Sequence, residues 1–137
     1  MKFFREAEPG IFVATGRLQT EQDGCDWTAE YTELLAADRP LAVIVNIDDQ
    51  PEVAAGKPMV LWIKAHKVEL ARLVRVTVYI VADVAERTEL ARNLPGRAKA
   101  SPYPMAVAAD ETEAMSIARA SLCHDTSERE PIPVQRT

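Results

Sequence analysis

Residues 41–48 read LAVIVNID and give way, at 58–74, to PMVLWIKAHKVELARLV. The same change recurs at 76–83, VTVYIVAD, followed by VAERTELARNL at 84–94. It recurs again at 104–109, PMAVAA, followed by ETEAMSIARASL at 111–122. Each time an apolar run of strand length precedes a periodicity of helical length. Two parallel strands need a long crossover that packs back on the sheet, so this cadence predicts consecutive β-α-β units.

Upstream, residues 2–5 and 10–15 read as strands, with Pro9-Gly10 as the turn of an antiparallel opening. Residues 16–24 are polar and turn-rich. Asp26 is the expected cap of a helix whose apolar positions are Trp27, Tyr31, Leu34 and Leu35. Arg39-Pro40 ends it, because a residue before proline avoids helical angles. The strand at 41–47 is apolar enough to be central. Pro58 suits the first position of a helix over 59–73. One stripe of that helix carries Met59, Trp62, Ile63, Leu70 and Leu73, and a second row, Leu61, Ala65 and Val68, lies roughly opposite. A helix apolar on two sides is deeply buried or covered by a partner.

Further on, residues 76–82 form a second central strand, and 86–94 a short helix ended by Pro95-Gly96. A basic loop at 97–103 and a short edge strand at 105–108 follow. Asp110 and Glu113 cap the last helix in the manner of a capping box. The expected fold class is α/β: a mixed sheet of four to five strands in the order β-β-α-β-α-β-α-β-α, with helices mainly on one face. One domain spans 1–122, and 123–137 is a polar, flexible tail.

The chain has 137 residues, 47% apolar and 27% charged, which suits one domain with a real core. Sixteen basic against twenty-one acidic residues give a formal charge of −5. With no basic stripe, nucleic acid is not an expected partner. MKFFREAEPG is too charged for a secretory signal, and no apolar run reaches the ~18 residues of a membrane span. The cytoplasm is the expected compartment, with Cys25 and Cys123 as reduced thiols.

Chemical motifs are few. Gly56-Lys57 lacks the remainder of a phosphate loop, and no GxGxxG is present, so no nucleotide cofactor is expected. Asp48, Asp49 and Asp83 fall at the carboxyl ends of parallel strands, where ligands of open α/β sheets bind. They are the candidate ligands for magnesium or calcium, weighed against capping and solvated roles. His66 sits between Ile63 and Leu70 with no nucleophile in a defensible spacing, so a packed or interface-rim role is expected. Cys25 reads as preceding a helix, without a partner base. Met59, Leu61, Trp62 and Ile63, with His66, form the candidate interaction or ligand surface, because aromatic and methionine side chains concentrate at interface cores.

Four stretches together resemble one family. GRLQTEQD (16–23) is similar to its glycine-led segment before the first helix, and RPLAVIVNIDD (39–49) to its central strand. RLVRVTVYIVAD (72–83) is similar to the strand after the long helix, and MAVAADETEAMSIARASL (105–122) to its closing strand, acidic turn and alanine-rich helix. With the element order, these resemble the STAS or SpoIIAA-like family of anti-sigma-factor antagonists over most of residues 1–122. The resemblance implies a regulatory module acting through protein contacts; some structural relatives hold lipids in an apolar cavity. Antagonists of the family carry an Asp-Ser pair after the central strand, and a kinase phosphorylates that serine. Residues 47–59, IDDQPEVAAGKPM, contain no Ser or Thr. A phosphorylation switch there is not expected.

The leading expectation is a non-catalytic binding module that works through protein contacts, including a homodimer formed through helix 59–73. One alternative is a carrier of a small apolar ligand such as a lipid, which requires a closed pocket between that helix and the sheet. The other is a metal-dependent enzyme built on the aspartates.

Overall fold

The strand expected at 41–47 is the middle of the sheet. In a computed structural model, which describes residues 1–46 and 51–129 and their side chains except at 98, 100 and 124–129, β3 spans Leu41–Asn46 and pairs on both edges. Its neighbours are β2 (Ile11–Ala14) and β4 (Val74–Ile80), both parallel to it. β1 (Phe4–Glu8) pairs antiparallel with β2, and β5 (Met105–Ala108) closes the other edge parallel to β4. The sheet therefore runs β1-β2-β3-β4-β5, a mixed five-stranded sheet in an α/β fold.

Alternation along the strands divides two cores. Leu41 and Val43 of β3 face one way, with Phe4 of β1, and meet α1 (Glu21–Ala36), α2 (Val53–Ala65) and α3 (Lys67–Leu73). Ala42 and Ile44 face the other way with Ile11, Val13, Val76 and Val78. There Ala114, Met115 and Ala118 of α5 (Glu111–Arg129) cover them. Three helices thus share one face, and α5 closes the second. α4 (Val84–Ala100) lies beside β5. The helix expected to end at Leu122 continues to Arg129, and 130–137 lie outside the described residues.

Element boundaries differ from the sequence reading at several places. α1 starts at Glu21, capped by Thr20 rather than Asp26. Thr20 Oγ1 accepts the Asp23 amide (3.1 Å), and the Asp23 carboxylate accepts the amides of Thr20 (3.1 Å) and Gln19 (2.9 Å). That reciprocal box satisfies free donors of the first turn more completely than a cap six residues later. Cys25 accordingly lies inside α1, exposed, and not ahead of it.

The long helix expected over 59–73 begins earlier and is broken. α2 starts at Val53, so Pro58 lies inside it. His66 then leaves helical geometry (φ −114°, ψ 24°), separating α2 from α3. Pro95 likewise fails to end α4, which runs on through 97–100 in place of the expected loop. Pro95 and Gly96 are exposed, so water can solvate the carbonyl that proline leaves without a donor. No helix among the described residues is long and apolar enough to cross a membrane.

Candidate functional site

Gly24 permits the close approach of α1 and α2. A Cβ built there would lie 2.3 Å from the Ala55 carbonyl oxygen and 2.6 Å from Pro58 Cγ. With the helices tight at this crossing, an aromatic cluster fills the space beyond it. The Trp62 ring lies 5.8 Å from Trp27 and 5.0 Å from Tyr31, centroid to centroid, and Phe4 packs edge-on to Tyr31 at 5.1 Å. Trp62 Nε1 donates to Thr32 Oγ1 (3.0 Å). His66 stacks on Trp62 at 4.4 Å, and its Nδ1 lies 2.9 Å from the Trp62 carbonyl oxygen. A carbonyl only accepts, so Nδ1 carries the proton. These two contacts hold His66 where the helix breaks.

Between this cluster and the sheet lies a cavity of about 220 Å³. Met59 and Ile63 of α2, Trp27 and Tyr31 of α1, and Val43 and Val45 of β3 form its apolar walls. Thr77 and Tyr79 of β4 and Tyr103 of the turn before β5 complete its lining. All three tyrosines of the chain line this one space. No Lys, Arg, His, Asp or Glu is among the described residues that line it.

Tyr31 and Thr77 are each 3% exposed, and neither Tyr31 Oη nor Thr77 Oγ1 has a hydrogen-bond partner among the described residues. Burial pushes the Tyr31 phenol well above its ordinary pKa, and the fields of Tyr103 and Tyr79 add to the shift. Burial likewise raises Tyr79, helped by Tyr103 and opposed by Arg97 on the exposed side of α4. Burial raises Tyr103 too, and Thr77 and Tyr79 ease that shift. Thr77 Oγ1 is thus close enough to Tyr103 to be felt, yet makes no bond of proper length and angle. Three neutral phenols and one threonine thus border an apolar space, with the Tyr31 and Thr77 oxygens closed off from it. They can donate hydrogen bonds; as neutral phenols held above their normal pKa they are poor bases.

The candidate residues separate into groups. Met59 and Ile63 line the cavity, and Trp62 and His66 back its wall. Leu61 points away: it is 58% exposed, in an outer row with Val60 (51%), Val53 (91%) and Val68 (82%). Asp83 caps α4, accepting the Glu86 amide at 2.9 Å. Asp48 and Asp49 lie outside the described residues. Among the described residues no group of three His, Cys, Asp or Glu side chains is placed to hold a metal ion. A larger groove of about 560 Å³ includes Glu6, Glu33 and Arg39 in its lining. All three are exposed, and it lacks the buried hydroxyls of the first space.

Sequence reasoning missed the tyrosines. One signal was present: Thr77 and Tyr79 are two apart in a strand and therefore share a face. Neither a family model, nor a curated protein, nor a solved structure matches this chain.

Proposed function

We propose that this protein is a non-catalytic binding module that takes a small apolar ligand into the cavity between α1, α2 and the sheet. The observation that carries this reading is the space of about 220 Å³ itself, walled by Met59 and Ile63 of α2, Trp27 and Tyr31 of α1 and Val43 and Val45 of β3, with no charged side chain among the described residues that line it. Predominantly apolar walls with a few convergent polar groups are the usual composition of a small-molecule site. The element order supports kinship with SpoIIAA-like domains, and we infer that kinship from topology together with the sequence resemblance. The test is a titration with ethylbenzene followed by methyl NMR. Saturable shifts are expected at Val43, Val45 and Ile63, with none at Ile44 or Val78 on the opposite core. No saturable shift at the first set would refute the reading.

A second reading rests on a different surface. Val53, Val60 and Leu61 of α2 and Val68 of α3 are all exposed apolar side chains. Exposed patches of this kind mark docking surfaces, including those between identical chains. Here the docking residue would be Leu61, not Trp62, which is committed to the aromatic cluster. Light scattering of wild type against Leu61→Glu tests it: a dimer that dissociates in the variant supports it, and a monomer at all concentrations removes it.

A further inference from the structure

We propose that the ligand of this cavity carries an aromatic ring, and that the rings of Trp27 and Tyr31 select it over a saturated ring of similar bulk. This rests on the ligand-binding reading above and adds a chemical class to it.

The walls are rich in rings. Every tyrosine of the chain and one of its two tryptophans line this space. They arrive from α1 (Trp27 and Tyr31), from β4 (Tyr79) and from the turn before β5 (Tyr103). Val43 and Val45 of β3 and Ile63 of α2 supply the aliphatic part. An apolar cavity of ~150 Å³ accommodates benzene, so about 220 Å³ has room for one ring and a short substituent.

Tyr31 borders the space through its ring, because its hydroxyl oxygen is closed off. That ring and the Trp27 ring already belong to an edge-to-face cluster. Their centroids lie 5.2 Å apart, with the planes at 75°. Phe4 meets Tyr31 at 69°, and Trp62 meets Trp27 at 82°. Each such pair sets the positive edge of one ring against the negative face of another. Phe4 and Trp62 are not among the described residues that line the space, so Trp27 and Tyr31 present the cluster to it.

A ligand ring in the cavity extends that cluster by one member. Aromatic pairs contribute about 2- to 10-fold in affinity beyond the area they bury. The Met59 thioether, also in the lining, adds a preference of the same sign, since sulfur packs favourably against aromatic rings. A saturated ring has no such quadrupole and gains only from burial and dispersion.

Ethylbenzene and ethylcyclohexane are a matched pair that differ in the π system and little in bulk. The saturated probe is the less well hydrated. Each dissociation constant is therefore referred to that probe's own partition between water and cyclohexane. The experiment is NMR titration of both probes against wild type and Trp27→Leu. On the corrected scale, wild type is expected to favour ethylbenzene by about 2- to 10-fold. In Trp27→Leu the ratio of the two constants is expected to move toward ethylcyclohexane by about 2-fold or more, a comparison in which probe hydration cancels. No corrected preference for ethylbenzene in wild type, or a ratio unmoved in the variant, overturns this inference while ligand binding itself stands. Tyr31→Leu replaces the variant if Trp27→Leu does not fold, and the wild-type comparison decides alone if neither folds. No saturable shift with either probe overturns the inference together with the reading beneath it.

Discussion

Gly24 of α1 and Ala55 of α2 meet backbone to backbone. Ala55 is wholly buried at the contact, and the space a Gly24 side chain would need is already filled by the Ala55 carbonyl oxygen at 2.3 Å. Backbone cannot rotate aside as a side chain can, so one methyl group must push the helices apart. Gly24→Ala gains helix propensity of nearly 1 kcal/mol in isolation. Overpacking costs typically ~1–3 kcal/mol, and more where the obstacle is backbone, so the net effect is expected to be destabilising. Urea unfolding checks the sign. The same substitution at Gly56, where nothing lies within 4 Å, is the control and is expected to be neutral or stabilising.

Tyr31→Phe tests the buried hydroxyl. Deleting a satisfied buried tyrosine hydroxyl normally weakens a protein. Here the hydroxyl has no partner among the described residues, so its removal is expected to stabilise the protein by about 1 kcal/mol. Thermal unfolding without ligand should show a melting temperature at or above that of wild type. A loss of more than about 1 kcal/mol would mean that the hydroxyl is already satisfied within the folded chain.

Alkaline pH is expected to unfold the protein through its tyrosines. All three phenols are raised from the ordinary value of 10.0, chiefly by burial. The unfolded chain therefore releases these protons at lower pH than the folded one. Their contribution to stability is complete below about pH 10 and is lost as pH climbs from there through the raised folded values. Tyrosinate absorbance near 295 nm should rise together with loss of the far-ultraviolet helix signal. A tyrosinate signal that titrates near pH 10 in folded protein would show a phenol open to solvent.

Much of this architecture was legible in residues 41–122, because buried parallel strands leave unbroken apolar runs that few other structures require. Cap positions were harder. Asp26 and Thr20 are both competent caps, and only the Asp23 carboxylate folding back decides between them. Gly24 read as a turn residue because its role is tertiary: it makes room for another helix. The break at His66 left no mark on the apolar periodicity, which runs through it. The tyrosines stand at 31, 79 and 103, on α1, on β4 and in the turn before β5, and only the topology brings them together. Met59 and Ile63 were legible as important, with interface, pocket wall and core all open; they line the cavity.

Leu61 and Trp62 adjoin in sequence and differ in consequence. Leu61→Glu is expected to change stability by no more than about 0.5 kcal/mol, because its side chain is already in water. Trp62→Ala removes the centre of the aromatic cluster and is expected to cost about 3–5 kcal/mol. Chemical denaturation of the two variants checks both. Equal losses would place Leu61 in a packed environment.

A crystal structure of the protein soaked with acetophenone is the most direct test of the ligand cavity. The ring is expected between Ile63 and Val43, against the other apolar walls of the cavity. A cavity holding only ordered water, with the ketone elsewhere or nowhere, would contradict it.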